Sequence, residues 1–145
     1  MAYTFTDHYR PVRLMMRVDG LVVGLGLGTL LLIYPVDLLM DLGFDAGDPA
    51  WPARVAGSAL IGLGIGLFAA SAEPELRAAS LLTAMISNVL IAVSLLLAYF
   101  QGELSNLSPW GLLLLIVIFV TCLVTGVLPI PYMRGLDRVG TRSGQ

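Results

Sequence analysis

Four long apolar runs, near residues 14–34, 49–70, 75–100 and 109–131, occupy most of this 145-residue chain. A helix needs about 20 mostly apolar residues to cross hydrocarbon, so four such helices nearly exhaust the length and leave little for a soluble catalytic domain. The composition agrees: 57% of residues are apolar, 12% are charged and the mean hydropathy is +0.88, whereas soluble domains carry about 25% charged residues. The expected fold is all-α, a single integral membrane domain built as an antiparallel four-helix transmembrane bundle.

The boundaries follow from prolines and polar clusters. Pro35 lacks the N–H that a continuing helix would use, so the first span ends near Tyr34. Asp37, Asp41 and Asp45 then recur every four residues around Leu38, Leu39, Met40 and Leu42, which predicts a short amphipathic helix lying in the interface between helices 1 and 2. Asp48–Pro49 and Ser108–Pro109 read as N-cap followed by first helical residue, opening the second and fourth spans. Residues 73 to 77 form a tight turn, with Glu73 and Arg77 spaced for a weak i,i+4 pair. A polar tail fills residues 134 to 145. Arginines before an apolar run resemble a signal peptide, but no AxA-like cleavage site follows Ile33, so the first span is expected to be retained.

Charge supplies the orientation. With four spans both termini share a side, and that side collects Arg10, Arg13, Arg17, Arg77, Arg134, Arg138 and Arg142 against Arg54 alone opposite. The positive-inside rule makes both termini cytoplasmic. Tyr34, Trp51, Tyr99, Phe100 and Trp110 fall at the outer helix ends, where amphipathic rings anchor. The chain has no lysine, a bias expected of a GC-rich genome, and the expected location is a bacterial cytoplasmic (inner) membrane.

Lipid supplies no hydrophobic drive for helix association, so small residues mark the contact faces. Gly20, Gly24 and Gly28 repeat every four residues on the first span, and Gly57, Gly62 and Gly66 lie on the second; these six predict close packing of spans one and two. A homo-oligomer seam or a groove for a lipid tail is the alternative use of such faces. Near the centre of the third span, Asn88 must find hydrogen-bond partners inside the protein, with Thr121 or Thr125 of the fourth span as the expected partners. A sharper reading joins Asn88 to Ser87 and Thr83 as a polar lining for a small solute or headgroup.

Asp19 is the charge that fits worst. The uncharged stretch from residue 20 to 33 is about 21 Å long at 1.5 Å per residue, short of a hydrocarbon core of about 30 Å, which draws Asp19 to the hydrocarbon edge. An acid there is a candidate proton or cation carrier, or the partner of Arg17, Arg77 or Arg134. The alternative is interfacial solvation of Asp19 while Arg17 snorkels outward.

Other chemistry is not indicated. Cys122 is the only cysteine and His8 the only histidine, so neither a disulfide, a CxxC pair nor a bis-histidine haem site is available, and no cofactor or structural metal is expected. The glycine run at residues 24–28 lacks the strand-to-helix context of a nucleotide loop. The acids Asp37, Asp41, Asp45 and Asp48 could supply oxygens to a divalent cation, but they lack an EF-hand pattern and read as a solvated face.

The run PAWPARVAG at residues 49–57, followed by the glycine-rich stretch at 62–66, resembles small four-helix bacterial membrane proteins of the DoxX-like kind. The resemblance covers roughly residues 14 to 132 and rests on hydropathy and helix count. It implies a four-helix bundle, often without an assigned activity, and carries over no catalytic or binding residue.

The expected function is non-enzymatic: a structural or accessory subunit packing with itself or with a larger membrane complex through its small-residue faces. The alternative is a small oligomeric transporter or channel using Asp19 and Asn88. Expected partners are the lipid bilayer and other membrane subunits or further copies of the chain, and not nucleic acid.

Overall fold

The computed structural model describes residues 9–44, 49–73 and 76–132. His8, Asp45, Asp48, Arg134, Arg138 and Arg142, each singled out above, lie outside them. The chain is all-α, with no strand among the described residues. Among the described residues four helices are long and apolar enough to cross a membrane: α1 (Arg10–Ile33), α3 (Trp51–Ala72), α4 (Ala78–Phe100) and α5 (Pro109–Tyr132). Between the first two lies the short helix α2 (Val36–Asp41).

Helix ends differ from the sequence reading where local chemistry offered a second choice. α1 starts at Arg10 rather than 14, because Pro11 suits a first helical turn. It stops at Tyr34, whose φ of 52° places it in the left-handed region; the ring of Pro35 disfavours α conformation in the residue before it. α3 starts at Trp51, with Ala50 as N-cap and Pro52 in the first turn, not at Pro49. α5 begins as expected, Ser108 Oγ accepting the Gly111 N–H at 3.2 Å, one of the orphan donors of a helix start.

α1 is not uniform. Residues Gly20–Leu27 form a π-helical segment, and the Gly28 N–H reaches the Val23 carbonyl five residues back. Such segments are rare and are found mostly as single turns inside α-helices; this one follows directly on Asp19.

Glycine sets how α1 meets α3. A Cβ on Gly64 would lie 2.8 Å from Gly24 Cα and 2.9 Å from the Gly20 carbonyl oxygen, and one on Gly57 would lie 2.6 Å from the Gly28 oxygen. Each obstacle is backbone, so nothing can swing aside. Along this seam the neighbours of Gly20, Gly24 and Gly28 descend from Phe68 through Gly64 to Gly57. Gly62 and Gly66 take no part, since a Cβ on either would meet nothing within 4 Å. The expectation that both belong to the α1–α3 seam is therefore corrected: at α-helical spacing, Gly57 and Gly64 share the inner face, and Gly62 and Gly66 fall on the outer one.

α4 pairs with α5, and α1 also touches α5, whereas the consecutive helices α3 and α4 make few contacts. Two apolar clusters fill the interior. One joins Val12, Met15 and Met16 of α1 to Leu67 and Ala70 of α3 and to Leu81 and Ala84 of α4; the other joins Val23, Ala92, Ile118 and Cys122. α2 buries Leu39 while Asp37 and Asp41 stay exposed. The turn after it docks on the start of α5, where the Ser108 N–H donates to the Leu42 carbonyl at 3.0 Å. Gly43 turns there with φ 85°, and a side chain on it would strike the backbone of 106–108.

Gly64→Ala is expected to destabilise by about 1–3 kcal/mol, the usual cost of overpacking. Gly62→Ala should be neutral or gain up to about 1 kcal/mol from helix propensity. Unfolding of both variants in mild detergent, followed by circular dichroism, checks the pair.

Candidate functional site

Between the two apolar clusters lies a group of polar side chains from three helices. Asp19 closes the first α-helical part of α1, Asn88 comes from α4 and Thr125 from α5; their relative exposures are 1%, 0% and 1%. Burial of this degree is unusual for an acid. The Asn88 Nδ2 donates to Asp19 Oδ2 at 2.7 Å and also to the Ala84 carbonyl at 3.0 Å. The second bond fixes the amide, because the reversed orientation would set its oxygen against two acceptors. Thr125 donates to the Thr121 carbonyl at 2.9 Å, and its side chain lies within interaction range of the Asp19 carboxyl.

The accounting is incomplete on one side of each group. Asp19 Oδ1 and Asn88 Oδ1 are both buried without a hydrogen-bond donor among the described residues. Both N–H groups of Asn88 are committed, so the amide has nothing further to give. A buried polar atom left unpaired costs about 1–3 kcal/mol, and more where a charge is involved.

The arginines near this site are engaged elsewhere. Arg17 Nε donates to Ser71 Oγ at 3.2 Å, and that hydroxyl in turn donates to the Phe68 carbonyl at 2.8 Å. Arg13 donates to the Ser71 carbonyl at 2.9 Å and to the Glu73 carbonyl. These oxygens end α3, where carbonyls lack helical partners and the helix dipole favours a cation. Arg77 pairs with Glu73 at 3.3 Å, as its spacing predicts. Among the described residues no arginine pairs with Asp19, so the expected partnership with Arg17 or Arg77 is corrected.

The other sequence candidates divide. Asn88 does bond across helices, but to Asp19 rather than to a threonine: α1 lies close enough on its glycine seam to bring the carboxyl inward. Thr83 is exposed and returns its hydroxyl to the Ala79 carbonyl at 2.9 Å, so it lines no interior path; Ser87 is half-buried. Two features were missed. The Arg13 clamp is foreseeable once α1 and α3 are paired with the start of one beside the end of the other. The π-helical segment has no sequence signal beyond its glycines.

An apolar cavity of about 310 Å³ lies on the far side of the Val23–Ile118 cluster, lined by Leu31, Ile91, Leu95 and Leu115 and closed partly by Leu39 and Phe44. Tyr34 brings a phenol to this otherwise apolar lining.

Asn88→Leu should cost about 1–3 kcal/mol by leaving the Asp19 carboxyl without its donor, while Thr83→Val should fall within about 0.5 kcal/mol of the parent; detergent melting curves test the contrast. The chain matches no protein-family model, no curated protein and no solved structure.

Proposed function

We propose that the chain is a multi-pass membrane protein, an antiparallel four-helix transmembrane bundle with both termini cytoplasmic in a bacterial inner membrane. We propose further that it serves as a structural or accessory subunit rather than an enzyme. A DoxX-like relationship belongs to the same proposal.

One observation carries the subunit reading. α3 has two small-residue faces, and only one is occupied. Gly57 and Gly64 hold α1, while Gly62 and Gly66 face open space, continued by exposed Ala59 and Ala69 at helical spacing. Exposed leucine or valine is what lipid accepts without cost, whereas an outward stripe of small residues lets a further helix approach by backbone contact. The partner is a helix of a second copy or of a larger complex.

The test separates assembly from folding. Gly62→Leu with Gly66→Leu is expected to abolish assembly seen by native mass spectrometry of gently extracted protein, with the melting temperature of the protein unchanged. Wild-type protein recovered alone and monomeric from its native membrane would overturn the reading.

A transport reading is favoured by one different observation, the buried Asp19–Asn88 group with its two unpaired oxygens, because ionisable groups inside apolar bundles mark ion and proton paths. Asp19-dependent flux of protons or monovalent cations in proteoliposomes would support it, and no flux across both would end it.

A further inference from the structure

The two unpaired oxygens in the core belong to side chains already bonded to each other. Asp19 Oδ2 already accepts from Asn88 Nδ2 at 2.7 Å, and the atoms lacking donors are the second oxygen of that same carboxyl and the oxygen of that same amide. A carboxylic acid and a primary amide are complementary at two points: the amide N–H donates to one acid oxygen, and the acid O–H donates to the amide oxygen. The first half of that arrangement is present, and the atoms of the second half are the two without donors.

We propose that Asp19 and Asn88 form a proton-binding site, with Asp19 held as a neutral carboxylic acid whose Oδ1–H donates to Asn88 Oδ1. The proton comes from hydronium in the solvent: one O–H bond of hydronium breaks, leaving water, as the O–H bond to the carboxyl oxygen forms. One hydrogen then satisfies both orphaned atoms and removes an uncompensated charge from an apolar interior, where burying an ion costs far more than burying an acid.

The surroundings agree from every side. On α1 the nearest cations, Arg13 and Arg17, bond to the end of α3. The described residues of α3 nearest the site are Gly64 and Phe68, which pack on Gly20 and carry no charge. α4 contributes only Asn88 and, along Ala78–Phe100, has no charged residue. α5 presents Thr125 and the buried thiol of Cys122, and it too lacks charge over Pro109–Val127. Among the described residues no cation balances a carboxylate here, and Thr125 offers it only a hydroxyl. A cation in place of the proton would require several oxygen ligands, and the cluster offers few.

The proposal is independent of the subunit reading, since Gly62 and Gly66 lie on a different face. Its test uses the full chain in lipid nanodiscs at neutral pH, where exposed aspartates are ionised. The infrared difference between wild type and Asp19→Asn should show loss of a carboxylic-acid carbonyl band. Asn mimics the neutral acid, one N–H standing in for the O–H and the second left to the Thr125 hydroxyl oxygen, so this variant should melt near the wild type.

Loss of a carboxylate band instead, or stabilisation of wild type by sodium at constant ionic strength, would overturn the proposal. Should Asp19→Asn fail to fold, solid-state NMR of wild-type protein labelled with carboxyl-¹³C aspartate gives the same decision. A protonated aspartate signal resistant to exchange is the expected result, and ionised signals alone the contrary one.

Discussion

The contact of backbone with backbone between α1 and α3 is the constraint on which the remaining arrangement hangs. In an apolar solvent the helices satisfy their own hydrogen bonds and gain nothing from simply hiding apolar side chains. Close approach is what remains, and Gly24 against Gly64, with Gly28 against Gly57, supplies it. That approach places the start of α1 beside the end of α3, where Arg13 and Arg17 meet the terminal carbonyl and hydroxyl groups of Ser71. It also fixes the rotation of α1 that turns Asp19 toward α4.

Polar tying then does what packing leaves undone. α3 and α4 make few contacts although they are joined by a short turn, so the two helix pairs are held by the packing of α1 on α5, by the two apolar clusters and by the Asp19–Asn88 bond between them. Interhelical hydrogen bonds in bilayers average below about 1 kcal/mol because unfolded helices also find partners. The worth of this bond lies less in its strength than in what its absence would leave buried.

Much of the architecture was legible because hydropathy reports directly on span number. Proline and serine placed the ends of the helices well at Ser108, where a capping hydroxyl leaves one answer. They placed them less well at Pro49, where Pro52 offered another. Glycine spacing identified the seam but not its face. Gly62 and Gly66 look as good as Gly57 and Gly64 until the angular position about α3 is known, and a four-residue repeat drifts around a helix of 3.6 residues per turn. Asp19 was found by its sign, but its partner was not. The uncharged length from residue 20 onward pointed to an arginine, whereas the acid is buried in the bundle against Asn88.

The π-helical stretch gives α1 a phase offset. A turn closed at five residues instead of four takes up more residues per turn than an α-helix does, so Asp19 and Ile33 do not keep the angular relation their separation would give in a regular helix. The acid and the glycine face are thus aimed by two differently wound segments of one rod. A change of length within Gly20–Leu27 would leave the hydropathy of the span nearly untouched and rotate the acid out of register with Asn88. Length within this stretch is therefore under a geometric constraint that composition does not reveal.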